Sequence, residues 1–258
     1  ALEELDAVPA VVIDRDALEE YFLDKVREDT VAALRVAGDA QVGDLHAPQP
    51  RFLVLVEPWR LEHERGLDKL GKPIDRTEWM MTPQTVNAYY SPPMNEIVFP
   101  AAILQPPFFD PKADPAVNYG GIGAVIGHEI SHHFDDQGSK YDETGKLADW
   151  WTPEDVKAFE AAIKALVAQY DAYEPFPGVH VKGAFTMGEN IGDLGGLAVA
   201  LDAYHASLKG KKAPVIDGTT GDQRFFLGWA QVWRRNYREA NLRQRPVTDP
   251  HAPSQYRT

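Results

Sequence analysis

The sequence predicts an α+β fold, mostly helical, with a small sheet beside a central glycine-rich helix. Three observations carry this reading. Apolar residues recur at helical spacing over several long segments. Two β-prone runs, 85–90 and 96–99, flank the turn-rich stretch Ser91-Pro92-Pro93-Met94-Asn95. Apolar residues make up 44% of the 258, enough for a packed core and too many for a disordered chain.

The elements follow in chain order. Asp16 and Glu19 fit a capping box, and Leu18, Phe22, Val26 and Leu34 keep helical spacing as far as Gly38. Residues 39–50 are polar and carry two prolines, as a linker would. The apolar run Phe52-Leu53-Val54-Leu55-Val56 suggests a short buried strand over 51–56. The runs 85–90 and 96–99 then form a hairpin with a proline-rich loop, and Pro106, Pro107 and Pro111 mark irregular chain. A helix is expected over 118–134 despite Gly120, Gly121, Gly123 and Gly127, with Ile122, Ile126 and Ile130 as one buried stripe. Those glycines would let other backbone approach closely. A helix over 153–170 has Thr152 as its N-cap and Pro153 in its first turn. Two more helices are expected over 187–207 and 222–242, the last rich in Trp and Arg.

Composition excludes several functions. The formal net charge is −13 and the pI about 5.0, the wrong sign for displacing counterions from nucleic acid or for binding anionic lipid. There is no cysteine, so disulfides, thiolate metal sites and a Cys nucleophile are excluded. Any metal must be held by His, Asp or Glu. The apolar runs fall far short of the roughly 20 residues that span a membrane. Glu3, Glu4 and Asp6 are not the basic start of a signal peptide.

The strongest chemical signal is His128-Glu129-Ile130-Ser131-His132, an H-E-x-x-H motif. On a helix, positions i and i+4 lie about 40° apart, so both imidazoles can address one ion. Glu129 stands where it can hold a metal-bound water. Zinc is the natural guest of two neutral imidazoles. The pentapeptide alone is also compatible with two surface histidines on a helix. The apolar, small-residue run from Gly120 to Gly127 argues instead for a buried helix, where histidines need partners. A metzincin would need Gly at 135 and His at 138, and this chain has Asp135 and Gly138. A gluzincin takes its third ligand from a later helix. Glu189 and Asp193 share a helix face there, so that one can bind zinc while the other accepts an N–H from a liganding histidine.

Several motifs together resemble a known family: Asn87-Ala88-Tyr89-Tyr90, Asn95-Glu96-Ile97-Val98-Phe99-Pro100, Gly127-His128-Glu129 through Phe134-Asp135, Gly188-Glu189-Asn190 with Asp193, and Asp249-Pro250-His251. They look like the catalytic domain of the neprilysin-like zinc endopeptidases, which are gluzincins. The resemblance covers about residues 68–258 and implies a zincin-like metalloprotease domain. Residues 1–67 would then be a helical N-terminal segment of uncertain role.

The resemblance also implies roles. His128, His132 and Glu189 would bind one Zn2+ per chain. Hydrolysis of oligopeptides would use a zinc-activated water, with Glu129 as general base and then acid. Asp193 would orient His128, and Asp135 would support His132. His251 would donate to the oxyanion, although a histidine in a proline-rich loop has a plainer reading. Asn87 and Ala88, on the expected edge strand, would bind the substrate backbone. Arg257 would grip a substrate carbonyl. Phe108, Val125 and Trp233 would line an apolar pocket, or else be ordinary core residues. His133 points about 100° away from His132 and is not expected to be a ligand. The expected partner is a peptide, with no nucleic acid and no transmembrane segment.

The chain departs from the family pattern in two ways. Members carry a large N-terminal helical domain that roofs the site, and they continue past the arginine matched at Arg257. A roof domain supplied elsewhere is thus a further expected partner. Animal members are rich in disulfides, so the missing cysteine favours a bacterial one. The resemblance favours an extracytoplasmic parent protein. The alternative to an active enzyme is a zinc-stabilised, catalytically weak fragment or binding module.

Overall fold

The computed structural model describes residues 53–258. The capping box at Asp16, the first helix and the linker over 39–50 lie outside them. The chain divides into two compact units, one ending at Met80 and the other running from Met81 to Thr258. The first unit contains helix α1, Leu53–Asp68. A strand over 51–56 was expected, so this is a correction. A short apolar run cannot tell strand from helix by periodicity. Here it leads into a Glu-, Arg- and Leu-rich stretch that favours helix.

In the second unit, strands β1, Tyr89–Ser91, and β2, Glu96–Val98, form a two-stranded antiparallel sheet. Tyr89 pairs with Val98, Tyr90 with Ile97, and Ser91 with Glu96. The proline-rich loop is a 3-10 turn, Pro92–Met94. Asn95 closes it in the left-handed region at φ 47°, its N–H donating to the Pro92 carbonyl. Asn tolerates that conformation better than other non-glycine residues. The strands are shorter than expected, because the ladder ends where Pro100 brings no N–H. Asn87 and Ala88 are therefore the lead-in to β1, not strand residues.

The helix expected over 118–134 is a continuous helical run of changing pitch. Helix α2, Pro115–Asn118, passes through a π-turn, Tyr119–Gly123, into α3, Ala124–Ser131, and ends in a 3-10 turn, His132–Phe134. Asp114 caps it, accepting from the Ala116 N–H, and its other oxygen holds Arg224 Nε at 2.6 Å. The glycines serve close backbone contact. A Cβ on Gly120 would stand 1.9 Å from the Phe225 carbonyl oxygen.

The stripe of three isoleucines does not hold. Ile122 is buried, but Ile130 is 43% exposed. Each i, i+4 step turns about 40°, so the third residue has drifted about 80° off the buried line.

Helix α4, Pro153–Asp171, has the full capping box, Thr152 with Asp155. Helix α5, Gly183–Ser207, begins slightly earlier than expected. The last expected helix is broken. Helix α6, Gly221–Val232, stops at Trp233, residues 233–238 are irregular, and α7 is Glu239–Thr248. Tertiary contacts override the local pattern here. Trp233 packs edge-on against Trp229 and under the Arg257 guanidinium, and the Tyr237 hydroxyl bonds to Ser254 Oγ.

Helix α3 lies between two apolar clusters. Ala124 joins Ala116, Ala200, Tyr204, Phe225 and Trp229 on one side. Val125, with Ile122, joins Ala88 and Ile103 on the other. Helices α3 and α5 meet through glycine. A Cβ on Gly127 would lie 2.7 Å from the Gly196 carbonyl oxygen and 2.8 Å from its Cα. We expect Gly127→Ala to cost roughly 2–3 kcal/mol by overpacking. Thermal unfolding should show Tm lower by about 4–10 °C. An unchanged Tm would mean that the two helices separate without cost.

Candidate metal centre

Helix α3 delivers His128, Glu129 and, at its C-cap, His132, while α5 delivers Glu189 and Asp193. Gly192 makes this approach possible, since a Cβ there would stand 2.7 Å from the His128 ring. His128 Nδ1 lies 2.9 Å from Asp193 Oδ1, and His132 Nδ1 lies 2.7 Å from Asp135 Oδ2. These carboxylates hold a proton on each Nδ1, which turns each Nε2 lone pair inward. Asp135 is itself fixed, accepting from the backbone N–H groups of Gln137 and Gly138.

What the inward atoms face is another acceptor. Glu189 Oε2 lies 3.2 Å from His128 Nε2 and 3.8 Å from His132 Nε2. It is buried, and no N–H is aimed at it with hydrogen-bond geometry. The liganding atoms of His128, His132 and Glu189 all lie within 4.8 Å of one another. Lone pairs converging on one point need a cation between them, either a proton or a metal. Two imidazoles and a carboxylate form a donor set that zinc accepts, with a fourth position left for water or substrate. The residues present therefore fit zinc.

The electrostatics agree. Burial opposes charge on His128, but the hydrogen-bonded Asp193 and the nearby Glu189 carboxylate outweigh it and push the imidazole up to about 9. Burial likewise opposes the Glu189 charge, and His128 and His251 overcome it, holding the carboxyl far below the usual carboxylate range. Burial raises Glu129, with His128 and His132 pulling the other way. Glu129 as a whole is 5% exposed and lines the same cleft.

His251 reaches the centre from the loop after α7. Its Nε2 is 3.0 Å from Glu189 Oε2, while its backbone N–H and Nδ1 both bond to Asp249 Oδ1. Arg245 Nη1 holds the other Asp249 oxygen at 2.8 Å.

The sequence model described as Peptidase family M13 matches residues 87–258. The chain belongs to peptidase family M13. The family includes neprilysin, so the resemblance read from the motifs holds. Endothelin-converting enzyme 1 of Rattus norvegicus is 48% identical over 193 residues, which is 74% of this chain and 25% of that protein. Neprilysin-11 of Caenorhabditis elegans is 44% identical over 198 residues, 75% of this chain and 23% of its own length. Among solved structures, the zinc metalloprotease ZMP1 of Mycobacterium tuberculosis, in complex with inhibitor, is 64% identical with a TM-score of 0.75. That match covers 77% of this chain and 31% of ZMP1. The chain thus spans about a quarter of the length of these curated relatives.

In this M13 chain the remaining expected residues gather around one cleft of about 370 Å³. Asn87, Ala88, Phe108, Val125, Trp233, His251 and Arg257 all line it together with His128, His132 and Glu189. Asn87 is exposed and Ala88 buried. Arg257 is less free than expected. It is 7% exposed, with Nε and Nη2 each 2.6 Å from Asp193 oxygens. Asp193 thus joins His128 to Arg257. Burial opposes its charge, and Arg257 and His128 hold its carboxyl low. His133 stands outside the cluster of His128, His132 and Glu189, and Tyr90 Oη lies 2.6 Å from its Nδ1.

Sequence reading missed Asp249, Arg245 and Tyr90 as supports. Asp249 carried a signal, because an Asp two residues before a His can bond back to that residue's backbone N–H. Arg245 and Tyr90 carried none, since their partners depend on packing. No helix among the described residues is long and apolar enough to cross a membrane.

Proposed function

We propose that this chain is the catalytic part of a zinc-dependent endopeptidase acting on oligopeptides. The observation that carries the reading is the convergence of His128 Nε2, His132 Nε2 and Glu189 Oε2 beside the buried carboxylate of Glu129 in one cleft. The three would hold one zinc per chain, and all of these groups fall within the proposed catalytic domain, 68–258. Bound zinc supplies a Lewis acid that polarises the scissile carbonyl and lowers the pKa of water.

The protein's own groups do the rest. Asp193 and Asp135 fix the tautomer and ring angle of His128 and His132. Glu129 takes a proton from the attacking water at its carboxylate and returns it to the leaving amine nitrogen. Burial raises its pKa, with His128 and His132 pulling the other way, and a raised carboxyl is the direction a general acid–base group needs. His251 is held through Nδ1 by Asp249 and presents Nε2 to the centre, where the imidazolium form would donate its Nε2–H to the oxyanion. Arg257 keeps one nitrogen uncommitted to Asp193 and lines the cleft, within reach of a substrate carbonyl. Asn87 offers its exposed side chain and the lead-in of β1 offers backbone for an added substrate strand. Phe108, Val125 and Trp233 supply apolar wall for the residue after the scissile bond. The roof domain of larger relatives would confine the substrate, and an extracytoplasmic location belongs to the same proposal.

The test is a quenched peptide with a large apolar residue after the scissile bond and a blocked N-terminus. Cleavage should be abolished by a chelator and restored by zinc. Zinc binding with no cleavage of any peptide would favour the catalytically weak module instead.

A further inference from the structure

The irregular segment between α6 and α7 inverts the charge of the chain. Overall the charge is −13, yet positions 234–245 hold Arg234, Arg235, Arg238, Arg243 and Arg245 against the single carboxylate Glu239. Two of these arginines are paired: Arg243 with Glu239, and Arg245 with Asp249. Arg234, Arg235 and Arg238 are exposed, and among the described residues no carboxylate pairs with them. Of these three, Arg235 alone lines the cleft that holds His128, His132 and Glu189. Among the described residues its guanidinium has one neighbouring ring, that of Tyr237, at 5.9 Å from guanidinium carbon to centroid. The carboxylates of that cleft, by contrast, are engaged. Asp135 is bound to His132, Glu189 faces His128 and His251, and Glu129 is buried among the histidines.

An unpaired guanidinium at the mouth of such a cleft has a fork of N–H donors matched to a carboxylate. We propose that Arg235 is a specificity-determining residue that favours substrates carrying a carboxylate in the bound stretch, from an acidic side chain or a free C-terminus. This rests on the endopeptidase reading above and adds a charge preference to the apolar pocket. The broken helix creates the site. Were α6 to continue, residues 233–238 would follow the helix surface, and the turn at Trp233 instead brings Arg235 to the cleft wall.

The experiment uses the full 258-residue chain loaded with zinc. One peptide core is made with Glu or Gln at each of three positions on either side of the scissile bond, each version as a free acid and as a C-terminal amide. The ratio of kcat/KM between charged and neutral partners is compared in the wild type, Arg235→Gln, Arg235→Lys and Arg238→Gln. The wild type should prefer the carboxylate by about three- to twentyfold at one position. Arg235→Gln should bring that ratio to about one, Arg235→Lys should keep part of it, and Arg238→Gln should leave it intact. The Glu arm and the free-acid arm tell side chain from C-terminus. A wild type without preference, a preference that survives in Arg235→Gln, or an equal loss in Arg238→Gln would overturn the proposal. If no peptide is cut, the endopeptidase reading fails. Peptide binding by fluorescence anisotropy to Glu129→Gln protein, with and without Arg235→Gln, then still decides the role of Arg235 by the same ratio.

Discussion

Replacing Glu129 by Gln should leave zinc bound and remove nearly all turnover. Gln keeps the shape of the side chain but cannot accept a proton at that oxygen. The site around it would change little, since Glu129 is 5% exposed and burial already favours the neutral form of its carboxyl. Proton transfer by a positioned group is worth about 10²- to 10⁴-fold, or roughly 3–5.5 kcal/mol of barrier. The fall should appear in kcat, with KM nearly unchanged, because the lost interaction belongs to the transition state. Elemental analysis and single-turnover cleavage on the same preparation check both halves. Normal turnover by a metal-replete Glu129→Gln protein would sink the assignment.

Glu189→Ala should instead act on the metal. Structural zinc held by four ligands is worth about 10–16 kcal/mol, so removing one protein ligand should weaken binding on the order of 10²- to 10³-fold. The substitution also removes the carboxylate that faces His128 and His251, at 3.2 and 3.0 Å. Competition with a chelator of known affinity measures the change. A second readout is thermal. Zinc at 100 times its Kd should stabilise the wild type by about 2.7 kcal/mol, and the variant at the same concentration far less. Unchanged stoichiometry and affinity would move the third ligand away from Glu189.

The two experiments separate metal holding from proton transfer, and they draw on different kinds of legibility. The pair His128 and His132, with Glu129 between them, is a local fact. A helix of 3.6 residues per turn puts i and i+4 on one face, whatever surrounds it. The capping boxes at Thr152 and at Thr220, the latter with Gln223, are local in the same way. So is the turn that ends at Asn95. The placing of Glu189 on a later helix was readable only as a motif, because 56 residues of chain lie between it and His132. The distance closes through Gly127, Gly192 and Gly196, where small residues let α3 and α5 touch.

Other features depended wholly on packing. Residues 51–56 have strand composition, yet α1 begins at Leu53, since a short apolar run takes the structure of its neighbours. The pattern over 222–242 is helical throughout, yet contacts of Trp233 and Tyr237 with distant chain break it. Ile130 keeps helical spacing with Ile126 and is still exposed. The commitment of Arg257 to Asp193, and the hold of Arg245 and Asp249 on His251, join positions that no local rule links.

The chemistry of the centre was thus written in residue identity. The family, and the residues proposed here for metal binding and acid–base chemistry, follow from side chains that few other combinations could replace, because lone-pair geometry and proton affinity belong to the residue itself. Which supports hold those groups, which helix breaks, and where Arg235 comes to stand were decided by tertiary structure. Those outcomes depend on small differences in burial and packing between segments far apart in the chain, and no short stretch of sequence contains them.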